Sequence, residues 1–165
     1  MKTGWLAAGF AVASMLAAVP ATQLAAMPAA QADNYGRGAA EKVRKLDIML
    51  MVSSLRCRKT SDNFQSDYAA FSAAHLAELN SAAGTLKSDL AARYGRSGAD
   101  KALDRLSTSM ANQYGQGHPW LDCHDLKQVT HDLAGNRHPG VLLSAADELL
   151  APSGDRGRVD LSANY

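Results

Sequence analysis

AEKVRKLDIMLMVSSLRCR, residues 40–58, decides the fold. Val43, Leu46, Leu50 and Cys57 fall on one helical stripe, and Ile48, Met49, Met51, Val52 and Leu55 widen it until the segment is apolar most of the way round. A helix apolar on nearly all sides belongs in the middle of a core rather than on its surface. A strand over IMLMV alone is the competing reading, and the charged helix formers that precede it argue against it.

Working outward, the same periodicity recurs. Residues 61–82 open on Ser61-Asp62-Asn63, residues that cap helices, and then place Phe64, Tyr68, Phe71, His75 and Leu79 on one face. Residues 85–94 align Leu86, Leu90 and Tyr94 and stop at Gly95, and residues 98–114 align Leu103, Leu106 and Met110 and stop at Gly115. Both Tyr-Gly ends predict a glycine in the left-handed cap conformation. Beyond the loop GQGHP, residues 120–134 carry Leu126, Val129 and Leu133, and VLLSAADELL forms a last short helix. Strand signals are nearly absent. The expectation is an all-α bundle of five to six helices over residues 33–150, clamped by one disulfide.

Both ends read differently. Lys2, an apolar run over LAAGFAVASMLAAV and the A-x-A pattern of Ala30-Gln31-Ala32 predict a signal peptide over residues 1–32, with cleavage after Ala21 or Ala26 as alternatives. Pro20 and Gln23 interrupt the apolar run before it reaches the ~20 residues of a membrane span, so no stable membrane insertion is expected after cleavage. Residues 151–165, rich in Gly, Pro, Ser and charge, predict a flexible tail in which Val159-Asp160-Leu161 is the one stretch fit to dock. The expected location is periplasmic or secreted.

The chain has 17 Lys and Arg against 16 Asp and Glu, and with Lys2 set aside the two are equal. A balanced charge excludes a dedicated nucleic-acid binder, which needs a basic surplus or face. No segment sets a dense basic face against an aromatic one, as a membrane-surface helix would.

HPWLDCHDL, residues 118–126, concentrates the chemistry. Cys57 and Cys123 are the only cysteines, and an even pair in an oxidising compartment favours a disulfide. Closing that loop of about 66 residues restricts the unfolded chain by about 4 kcal/mol. A nucleophilic cysteine is the alternative. Arg56, Arg58 and Lys59 flank Cys57 and His124 adjoins Cys123, but neighbours on a helix diverge by ~100°. His124 and His131 share a helix face yet stand about 10.5 Å apart, too far to ligate one ion, and His138 lies past Gly135. No metal and no cofactor is expected. His75 reads as a core histidine, and Asp67, Glu78, Asp89, Asp100 and Asp104 read as dispersed over solvated faces.

The blocks KLDIMLMVSSLRCR, NFQSDYAAF, HLAELN and LDRLSTSMANQYGQGHPWLDC together resemble a family of small exported bacterial two-cysteine helical proteins without an established function, over roughly residues 42–135. Some relatives carry the label S-adenosyl-L-homocysteine hydrolase. That label implies a dinucleotide-binding α/β domain, and this chain has no G-x-G-x-x-G and no position that matches a catalytic residue of those enzymes. The function expected is therefore binding, of an unidentified protein or small ligand, with Tyr94, Tyr114, His118 and Trp120 at helix ends and in the GQGHPW loop as candidate contacts. The alternative is a hydrolytic enzyme that gathers His118, His124, His131 and Asp132.

Overall fold

The computed structural model describes residues 36–151. The expected leader and all but the first residue of the expected tail lie outside them. Six helices follow one another: α1 (Arg37–Cys57), α2 (Gln65–Ala74), α3 (Leu76–Tyr94), α4 (Arg96–Tyr114), α5 (Cys123–Gly135) and α6 (Val141–Leu149). There is no strand among the described residues.

The apolar breadth of α1 places it at the centre, packed by every other helix. Val43, Leu46, Met49 and Leu50 are sealed from solvent, and each such burial contributes on the order of 1.5–3 kcal/mol. Two helix pairs flank α1. The α3–α4 hairpin closes one side and the α2–α5 pair the other, while α6 packs chiefly on α1. Coverage is incomplete, for Met51 and Leu55 on α1 stay exposed.

Local boundaries depart from the sequence reading in several places. Residues 61–82 do not form one helix. His75 leaves helical geometry at φ −110° and ψ 15°, ending α2 and starting α3, while the backbone ladder bonds on through Phe71 O and Leu79 N. Residues 76–94 are then a single helix, because Gly84 sits in open space mid-helix, where glycine costs only about 1 kcal/mol. Neither Tyr-Gly end takes the left-handed cap conformation: Gly95 has a positive φ, 74°, but an extended ψ, 163°. Gly115 is right-handed at φ −59°, and Gly117, at φ 110°, makes the turn instead.

The start of α5 is set by Asp122. Its Oδ1 accepts from the backbone N–H groups of His124 and Asp125, and its own N–H donates to the Asp125 carboxylate. This reciprocal box begins the helix at Cys123 rather than at Trp120. The Asp125 backbone N–H foremost holds the Asp122 carboxyl below its ordinary range.

Cys57, the last residue of α1, is bonded to Cys123, the first of α5, with Cα atoms 5.8 Å apart. The stripe Phe64–Phe71–His75–Leu79 is buried as its spacing required, with Tyr68 at its edge. Tyr68 Oη donates to Asp47 of α1 at 3.0 Å, and Arg44 pairs with the same carboxylate at 3.1 Å. Burial outweighs both and holds the Asp47 carboxyl above its ordinary value. Burial likewise raises the Tyr68 phenol.

Candidate functional site

The disulfide fixes which groups α5 brings to α2. By holding Cys123 at the end of α1, it sets the first turn of α5 beside the α1–α2 turn, where Asp62 lies. From there His124, Gln128 and His131, spaced i, i+4 and i+7, run along one face of α5 toward Asp67 in α2. The opposite face of α5 is core, with Leu126, Thr130 and Leu133 buried.

Between the two helices lies an open groove of about 430 Å³, lined by Asp62, Asp67, His124, Lys127, Gln128, His131 and Asp132. His124 Nδ1 meets Asp62 Oδ1 at 3.4 Å and His131 Nδ1 meets Asp67 Oδ1 at 3.2 Å. A carboxylate oxygen only accepts, so each Nδ1 carries the proton and donates it. The Gln128 amide donates to His124 Nε2 at 3.0 Å. His131 has no such neighbour. Its Nε2 has no partner among the described residues, and its side chain is 75% exposed.

A carboxylate on Nδ1 fixes tautomer and ring orientation together, which presents Nε2 as an aimed lone pair that can accept a hydrogen bond or a proton. No serine, threonine or cysteine among the described residues lines the groove. Among the described residues, no three His, Cys, Asp or Glu side chains are gathered so as to hold a metal ion.

His124, His131 and Asp132 thus share one groove, and His118 does not. His118 Nε2 donates to Leu149 O at 3.0 Å, while Nδ1 accepts from the backbone N–H groups of Trp120 and Leu121. It stacks on Tyr114 at 6.0 Å and meets Trp120 edge-on at 4.5 Å. With both nitrogens committed to backbone, His118 clasps the α4–α5 loop to the end of α6.

Tyr114 is only 6% exposed, so it packs rather than presents itself, and burial raises its phenol. Trp120 is half-buried at the same corner, where Lys45 lies 5.9 Å from the Tyr114 ring. Tyr94, 57% exposed, lies elsewhere, at the α3–α4 corner. His138 is exposed in the loop before α6.

Four of the acids read as dispersed over solvated faces have partners of their own, and Asp104 is exposed. Asp67 pairs with His131, Glu78 with buried His75 at 3.4 Å, Asp89 with Arg37, and Asp100 with Lys87. Asp62, read only as a cap residue, is the partner of His124. Sequence held one usable signal, the seven-residue step between two histidines on a helix face. It held none for the aspartates opposite.

No family model, no curated protein and no solved structure matches this chain. The geometry of the site is therefore the ground for any reading of its function. No helix among the described residues is long and apolar enough to cross a membrane.

Proposed function

We propose that this chain is an exported helical domain that works by binding, with the α2–α5 groove as its seat. The occupant is a small polar ligand or a polar segment of a partner protein. One observation carries the reading: His131, which lines the open groove, is held by Asp67 through Nδ1, and its Nε2 has no partner among the described residues. The leader pattern of residues 1–32, the disulfide and the resemblance to exported two-cysteine proteins support a location outside the cytoplasm.

The test is capture from an envelope or medium extract of the exporting cell on immobilised protein with its disulfide intact. A specific partner or ligand retained by the native protein and lost by His124→Ala/His131→Ala supports the proposal. Equal retention by the double variant removes the groove from the binding site.

The Asp67–His131 pair favours a second reading, hydrolysis in which His131 takes a proton from water. It predicts ester or phosphoester turnover abolished by His131→Ala, and no turnover over a broad substrate panel counts against it. The openness of the groove to solvent, with no serine, threonine or cysteine among its described lining residues, places binding first.

A further inference from the structure

A second depression lies at the corner of α3 and α4 against the start of α1, and part of its floor is apolar. Leu86 and Ala102 are buried there, and Leu90 and Leu106 are half-buried beside them. Arg37, Arg93 and Arg105 line the depression as well, together with Glu41 and Asp89.

The cations are unequally satisfied. Arg37 and Arg93 both point Nε at the same Asp89 oxygen, at 3.0 and 3.8 Å. Arg105 makes no hydrogen bond or ion pair among the described residues. Tyr94 rises at the rim. A Cβ on Gly98 would come within 3.1 Å of Tyr94 Cβ, so glycine there lets the first turn of α4 close against that rim without displacing it.

An unpaired guanidinium beside apolar surface matches an anion that brings apolar surface of its own. The planar fork of arginine fits a carboxylate through two parallel bonds. The cavity, about 230 Å³, is smaller than the ~300 Å³ at which sites for drug-sized ligands begin, so the hydrocarbon must be short. We propose that this corner binds a short-chain carboxylate, its head on Arg105 and its chain against Leu86, Leu90 and Leu106. This site is separate from the α2–α5 groove and does not depend on it.

Hexanoate is the probe, titrated into the disulfide-bonded protein labelled with ¹⁵N and followed by amide shifts. Saturable shifts confined to the α3–α4 corner are expected, with Kd weakened at least tenfold in Arg105→Gln at unchanged helix content. Hexan-1-ol, which keeps the chain and loses the charge, should give no saturable shift. Equal binding by Arg105→Gln, equal binding of the alcohol, or shifts centred elsewhere overturns the proposal. Sedimentation with phosphatidylglycerol vesicles without saturable hexanoate binding also overturns it, assigning the arginines to a membrane surface.

Discussion

The two helix pairs that flank α1 are assembled by different means. α3 and α4 are consecutive and turn on Gly95 alone, so closing them costs little chain entropy. Ala82, Ala99 and Ala102 are buried on these two helices, and Lys87 of α3 pairs with Asp100 of α4. α2 and α5 come from opposite ends of the fold, with the α3–α4 hairpin between them in sequence. Their seam starts beside the Cys57–Cys123 disulfide, which joins α1 to α5, includes a buried contact where His75 Nε2 donates to Leu133 O at 2.8 Å, and has a polar outer edge of two His–Asp pairs. The lesson is that the pair most expensive to close lies beside the disulfide, which ties its α5 to the end of α1, and the same seam holds the groove that His131 lines.

The largest test breaks that asymmetry at the disulfide. Cys57→Ser/Cys123→Ser should lower stability by about 2–5 kcal/mol in urea titration. Native-state hydrogen exchange on the variant should show protection falling in α2 and α5 first, with α3 and α4 the last to open. Uniform loss across both pairs would mean that the disulfide supports the whole bundle and not one seam.

A smaller effect separates the middle of the seam from its edge. His75, 4% exposed, fills core space beside Phe71, with ring centroids 5.3 Å apart, and bonds Leu133 O. His75→Ala should cost about 2–4 kcal/mol through the cavity and the lost bond. His131→Ala at the exposed edge should cost no more than about 1 kcal/mol, the ordinary worth of a surface ion pair. Comparable losses at the two positions would make the outer pair a structural strut and weaken its reading as a binding group.

The smallest effect concerns the acid that is buried rather than grooved. Burial holds the Asp47 carboxyl above its ordinary value of 3.8, so the folded chain keeps that proton to higher pH than the unfolded chain does. The stabilisation is complete below 3.8 and is lost as pH rises through the raised folded value. Relative to the native protein, Asp47→Asn should therefore gain stability between pH 3.5 and pH 7, measured by urea titration at both (pH values of order of the carboxylate range, ~4, and of neutrality, ~7). A variant that instead loses ground toward neutral pH would show that Arg44 and Tyr68 outweigh burial.

Much of this fold was legible in the chain. The breadth of 40–58 placed α1 at the centre, and the stripes through Phe71, Leu86, Met110 and Leu133 marked buried faces. Cys57 and Cys123 had only each other to pair with. Less legible was the break at His75, because its residue type and spacing suit a continuous helix and only the carbonyl of Leu133 and the carboxylate of Glu78 explain where its ring is held. The aromatic candidates were chosen by position at helix ends, a signal that does not distinguish Tyr114, which is packed, from Tyr94, which is exposed.

By itself, the sequence determined what is periodic and local: helix content, the inward face of each helix, and the single cysteine pairing open to it. Tertiary structure alone decided the groove. Asp62 lies 62 residues from His124, and Asp67 lies 64 from His131. Whether such groups meet depends on how α2 and α5 lie against each other, which the summed packing of their inner faces on α1 and the position of the disulfide set. Residues on an exposed face contribute almost nothing to that sum, so their own pattern carries no record of the partners they acquire.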